Sequence, residues 1–314
     1  MGAAGIFSKV AVGAESTYGV YTAPGRTVEF LSESLTLDKE RIVSQGIRDG
    51  RRVAHRSEHG ARRVGGDLSV ELTAQGMGLF FVHALGAVST TGPGPFAHEI
   101  TPGPIDGKSL VVQVVRPDRD GTARAFSYVG LKVAEWELTA RVGEYAQLRL
   151  SLVGADEDTG QAIVADAYHA DINPIPFTEG AFSIAAASYP ITEFTLSGRN
   201  NLADGRHRIR GANSPVQLEP LEQKREYTFS LAGDFVDLSQ YNRYVNDTDA
   251  AIQLDLNGGA DNRVLIDANA VWDGETPTVD GPDVLDHTLR GMLQHGTDDA
   301  SALTVTVTND DAAP

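Results

Sequence analysis

The stretch from residue 48 to 63 reads RDGRRVAHRSEHGARR, with six arginines and two histidines in a chain whose formal net charge is -17. Such a cluster is suited to grip phosphates or carboxylates, and its neighbours decide which. A surface for single-stranded nucleic acid interleaves its arginines with aromatic rings on which bases stack, and this stretch has none. A duplex reader offers a recognition helix, which Gly50 and Gly60 disfavour. His55 and His59 stand four apart, a helical metal-ligand spacing, but the arginines around them oppose a bound cation and point to a solvated loop.

Other candidates for chemistry fail on spacing. TPGPIDGKSL has the GK pair of a phosphate loop, but the required earlier glycine is Pro102, and the following LVVQVV alternates like a strand instead of opening a helix. DEDTG at 156–160 resembles the start of a calcium loop without its ligand spacing or closing Glu, and reads as a turn. No HExxH or GxSxG is present. Any one carboxylate pair among 43 acidic residues is expected by chance. We therefore expect no catalytic residues, no cofactor and no metal.

The elements that must position the arginine cluster are strands. Leu68, Val70 and Leu72 alternate with polar residues, as do Leu148, Leu150 and Leu152, then Tyr227, Phe229 and Leu231, then Leu303, Val305 and Val307; each run predicts a half-buried strand. Leu110–Arg116 and Ala123–Val129 are expected to form a hairpin across Asp118–Gly121. Two short helices are expected, one over Gly76–Val88 and one over Leu238–Asn246 with Asp237 as its cap. PDVLDHTLRGML fits helix or strand. Trp136 and Trp272 sit in strand contexts and are expected to pack in a core or interface.

Length and charge bound the rest. The 314 residues suggest two domains or one large all-β unit. With no cysteine there is no disulfide and no thiol chemistry. No apolar run is long enough to span a membrane, and the first residues carry no secretion signal. Residues 39–63 hold eight basic and three acidic residues, leaving 18 basic and 40 acidic for the rest, so one basic segment sits in a strongly acidic body. The order of elements also occurs twice: an extended segment, a charged loop, a strand, a short helix and further strands. The charged loops are 38–66 and Gly198–Lys224. The polar, proline-containing stretch 155–180 between the halves reads as a linker.

At this point a family resemblance appears. ESTYGVYTAPGRTVEFLSESLTLDKERIVSQGIRDGRRV resembles the N-terminal region of the tail tube proteins of long-tailed, non-contractile phages. It carries the E-x-T-x-G start (Glu15, Thr17, Gly19), the FLSESL segment and the I-x-S-x-G-I-R run (Ile42 to Arg48). GDLSVEL followed by GMGLFFVHALG, then SGRNNL, the aromatic strand into GDFVD, and TPTVDGPDVLDHT continue it. The resemblance implies a mainly β fold, a tail-tube-type β-barrel or sandwich with short flanking helices. It implies a structural virion protein that is not an enzyme, assembled in the host cytoplasm into stacked rings that conduct double-stranded DNA during infection.

A single tube domain in that family is about half this length. The expectation is therefore two similar tube domains in tandem, 1–165 and 166–314, with three chains per pseudo-sixfold ring. Arg48, Arg51, Arg52, Arg56, Arg62 and Arg63 are expected in an inter-ring contact loop, and Arg206, Arg208 and Arg210 in its second-half counterpart. Implied partners are further copies of the chain, a tape measure protein, a tail terminator and distal tail or baseplate proteins, with DNA as passing cargo and no membrane. Acidic residues, Asp67 and Glu71 among them, are expected to face the channel and keep the polyanion sliding. The alternatives are a hexameric tube of a contractile injection system, a β-rich polysaccharide-acting enzyme, or a capsid-decorating or adhesin-like module.

Overall fold

The computed structural model describes residues 4–170, 172–213, 215–274, 285–296, 298–299 and 302–314. The first half of the chain forms β1 (Lys9–Ala14), β2 (Arg26–Val28), β3 (Ser32–Glu33), β4 (Thr36–Val43), β5 (Ser57–Glu71), α1 (Gly78–Leu85), β6 (Gly86–Thr91), β7 (Phe96–Pro102), β8 (Leu110–Pro117), β9 (Ala123–Arg141), β10 (Gln147–Gly154) and β11 (Asp156–Asp158). The N-terminal part of β9 lies between β8 and β11 in a small outer sheet that continues to β1 and β2. The C-terminal part of β9 crosses into an inner sheet beside β10, which pairs with β5, and β3 and β4 share the far edge of β5.

The second half forms β12 (Gly180–Ile184), β13 (Ala187–Ser188), β14 (Glu193–Arg199), β15 (Glu226–Asp234), α2 (Ser239–Val245), β16 (Ala250–Asn257), β17 (Arg263–Asp273), β18 (Asp286–Leu293) and β19 (Leu303–Asn309). Its pairings repeat those of the first half in the same order. β12 takes the place of β1 beside β13 and β16, and β17, like β9, lies between β16 and β19 before turning to β18. β18 pairs with β15, and β15 with β14. All are antiparallel. Trp136 and Trp272 occupy matching places: Trp136 faces Leu150 and then Leu68, and Trp272 faces Gly291 and then Phe229. The hairpin β6–β7 has no counterpart among the described residues of the second half.

Two junctions join the halves. β14 adds to the open edge of β9, Glu193 opposite Arg141 through Arg199 opposite Glu135. β7 adds to β19. The inner sheet thus runs β3/β4–β5–β10–β9–β14–β15–β18–β17 and stays open at both ends. One connected core backs it, with Phe80, Phe81, Trp136, Leu138, Phe194, Leu231 and Trp272 all buried. Both tryptophans pack as their strand contexts led us to expect: Trp136 lies edge-on to Phe81, and Trp272 is perpendicular to Phe229 with centroids 5.2 Å apart.

The predicted β8–β9 hairpin is present, its turn closed by Asp118, whose carboxylate accepts from the backbone N–H of Asp120 and Thr122. Several boundaries differ from expectation. α1 stops at Leu85, three residues short, because Gly86 takes φ +113° and turns the chain straight into β6. α2 is where the pattern put it, with Asp237 Oδ1 accepting from the N–H of Ser239. Yet Leu238, Tyr244 and Val245 remain exposed. The ambiguous PDVLDHTLRGML is a strand over Asp286–Leu293, and residues 276–284 of the family-like TPTVDGPDVLDHT lie outside the described residues. The supposed loop 38–66 is mostly a β-hairpin arm. Strands β4 and β5 pair Lys39 with Arg62 and Ile42 with Glu58, leaving only 44–56 irregular. Stretch 155–180 is strapped to the outer sheet: Lys9 bonds Asp166 and Val164, and Ala167 bonds Thr27.

Candidate functional site

The core covers one face of the inner sheet; the other is open and polar. Residues directly opposite one another across antiparallel strands point the same way, so the face is laid out in rungs. One runs Glu71, Gln147, Thr139, Thr195, Ser230, Arg290, Asp273. The next runs Ser69, Arg149, Glu137, Ser197, Thr228, Met292, Val271. A third runs Asp67, Ser151, Glu135, Arg199, Glu226. Adding Arg141, Glu193 and Asp234, the face has eight carboxylates against four guanidinium groups among the described residues.

Three of those arginines are neutralised in place. Arg149 meets Asp67 at 2.8 Å, Arg141 meets Glu193 at 2.5 Å, and Arg199 lies 3.3 Å from Glu135. The Asp67 carboxylate stabilises the protonated Arg149 and the Glu193 carboxylate the protonated Arg141, so both guanidinium pKa values are raised. Left toward solvent are hydroxyls, an amide, Met292, the fourth guanidinium of Arg290 and an excess of carboxylates. Nothing on it forms a nest of phosphate donors, and no group of metal-ligating side chains occurs among the described residues. Asp67 and Glu71, the two carboxylates named from sequence, both lie on this face.

The junction β9–β14 makes the face continuous across the two halves. It depends on glycine: a Cβ on Gly198 would sit 2.3 Å from Trp136 Nε1, so only hydrogen lets β14 close on the indole. The ring is held in turn by Phe81 and Tyr227, with centroids at 6.4 and 6.2 Å.

The predicted contact arginines divide into three groups. Arg48, Arg51, Arg52 and Arg56 stand at the tip of the β4–β5 arm. Arg62 and Arg63 instead lie in β5 and bind Asp156 at 2.9 Å and Asp204 at 3.1 Å of the same chain. Arg206, Arg208 and Arg210 bond backbone oxygens of Glu219, His207 and Val216 within their own loop. That loop, 200–225, folds back over the first half. Asn200 donates to the carbonyls of Ala84 and Val133, Arg225 to those of Leu85 and Gly103, and Gln217 to that of Gly154. Its anchor is Lys132, 1% exposed, whose Nζ meets Glu219 at 2.5 Å. The sequence reading passed over this lysine, and its only signal was a charge inside the apolar run LKVAEW.

Sequence reading also missed two isoleucines. Ile47 and Ile209 are 102% and 101% exposed at the tips of the matching loops, each followed by arginine. Beneath the other end of the molecule, near the end of β5, a cavity of about 110 Å³ is lined by Val28, Phe30, Leu31, Met77 and Ile172 together with Glu29 and Glu71.

Among curated proteins no match is found. The family model for phage tail tube protein matches residues 7–310. That span takes in both repeats, the arm and the open polar face, and the chain belongs to the phage tail tube protein family.

Proposed function

We propose that this chain supplies two tube domains in tandem, 1–165 and 166–314, and that three copies close a pseudo-sixfold ring of a non-contractile tail tube conducting double-stranded DNA. The observation that carries the reading is the repeat of strand pairings, together with the β9–β14 junction. One half already adds its first inner strand to the last inner strand of the other. Repeating that step around a ring pairs the edges that a lone chain leaves open. Eight strands closed on themselves would leave room only for side chains. Three copies bring two dozen, which at a spacing of about 4.8 Å and a tilt of about 40° close at a diameter of about 48 Å, wide enough for a duplex.

The open polar face then lines the channel. Duplex DNA carries a charge per roughly 1.7 Å of axis, and at a screening length of about 8 Å only charges at the wall matter. A wall with more carboxylates than guanidinium groups, and with three of its four guanidinium groups held in ion pairs, repels phosphate weakly and offers it no cluster of cations. In the tail the rings stack on one another through the arm and contact the tape measure protein inside, with a terminator and distal tail proteins at the ends. The test is the mass of an isolated ring, or its symmetry by electron cryomicroscopy. Three chains are expected; six full chains per ring overturn the tandem reading.

A further inference from the structure

Ile47 at the arm tip is wholly exposed, and Arg48 follows it. A fully solvated isoleucine on a projecting loop gains nothing for the fold of its own chain; such side chains anchor interfaces. The tip leads into the N-terminal end of β5, whereas the cavity of about 110 Å³ lies at its C-terminal end, by Glu71. The strand is fifteen residues long, so the two features stand roughly 45 Å apart along it. A copy's own tip therefore does not reach its own cavity. The cavity matches the tip in three ways. Its walls are Val28, Phe30, Leu31, Met77 and Ile172, and its volume suits one aliphatic side chain. Glu29 and Glu71 line it; of its two basic lining residues, Arg26 is already held by Asp311 at 2.8 and 2.9 Å, and His169 is the other. Gln75, another lining residue, has a buried Oε1 with no hydrogen-bond partner among the described residues.

We propose that this cavity is the stacking socket of the tube: Ile47 of a copy in one ring inserts into it in the next ring, with Arg48 meeting Glu29 and Glu71. The proposal rests on the tube reading and names the contact that joins rings. A plug and a socket at opposite ends of one strand make a heterologous contact, which repeats without closing and produces an open stack. Apolar burial supplies the anchor, and the carboxylates select a plug followed by a cation.

Two variants test it. Ile47→Asp removes the plug, and Leu31→Arg blocks the socket. Each alone is expected to form rings of the wild-type mass that need at least a tenfold higher concentration to polymerise. Mixed together, they are expected to form stacks of two rings and no longer, because only one pairing of plug and socket remains intact. The chain has no cysteine, so Ile47→Cys with Leu31→Cys in one chain adds a direct readout: oxidised tubes should give covalent multimers larger than one ring. Either single variant forming tubes at the wild-type concentration overturns the socket while leaving the tube reading intact, as does a mixture that stays as single rings. A wild-type chain that forms neither rings nor tubes overturns both.

Discussion

Replacing Gly198 by alanine probes the seam between the two halves. The added methyl would lie 2.3 Å from Nε1 and 2.4 Å from Cε2 of Trp136, well inside contact distance. The indole has little room to retreat, because it is 2% exposed and lies against Phe81 and Tyr227. β14 would yield instead, and its hydrogen bonds to β9 with it. Overpacking at a rigid site costs about 3 kcal/mol, which for a chain of this length lowers the melting temperature by about 5 °C. Thermal unfolding followed by tryptophan fluorescence reads both the shift and the seam. Trp136→Phe shrinks the ring, so the double variant should lose at least about 1 kcal/mol less than the sum of the single losses. Gly25→Ala, which meets nothing within 4 Å, serves as the control and should stay within about 0.5 kcal/mol of the parent. If Gly198→Ala melts with the control, β14 does not close on Trp136 and the continuous sheet is wrong.

Arg116→Met strips Glu33 of two bonds, at 3.0 and 2.7 Å, and leaves a carboxylate that is 13% exposed. It should cost about 3 kcal/mol in urea unfolding, and adding Glu33→Leu should restore most of it; a neutral single variant would refute the pairing. Burial pushes His83 down to about 4, so the folded protein holds it neutral while the unfolded chain takes up a proton below its ordinary value of 6.5. Stability from this residue is therefore full above pH 6.5 and is lost as pH falls toward 4, by about 3 kcal/mol. His83→Met should flatten that slope in unfolding experiments, and parallel pH profiles would refute it. Changing Glu137, Glu226 and Asp273, which lie outside the cavity, to Lys reverses the charge of the open face. Tubes of this variant should retain short duplexes at about 50 mM salt and release them at about 0.5 M, while parent tubes retain none; equal retention would remove the face from the channel.

The half-buried strands could be read from the sequence because alternation is a direct imprint of one dry and one wet face, as in Leu148, Leu150 and Leu152. The repeated order of elements showed through for the same reason. The arm did not, because β4 and the first part of β5 are exposed on both sides. Their residues LDKERIV and SEHGARRV alternate nothing, and the backbone ladder, with Asp38 opposite Arg63, holds them extended. β9 hid its length because residues 127–133 are all buried where the strand passes from one sheet to the other, so alternation is lost there. The polar face was legible only in composition. Which carboxylates share it depends on the register between strands up to a hundred residues apart, and no local pattern records that. The fold-back of loop 200–225 rests on Lys132, Asn200, Gln217 and Arg225 meeting partners far away in sequence, which no local pattern records.

The final strand, β19, adds to β7, and Asn309 then donates to the carbonyl of Ala74 and accepts near His98, contacts spanning 235 and 211 residues. The edge of β7 is therefore completed only once β19 has been translated and has left the ribosome. Contacts so distant in sequence form late in folding. Until then the outer edge of β7 stays unpaired and Nε2 of the buried His98 lacks Asn309 and the carbonyl of Asp311, while its Nδ1 keeps Thr90. The first half of the sheet is in this way tied to residues more than two hundred positions downstream, so its edge and its buried imidazole are completed together with the second half.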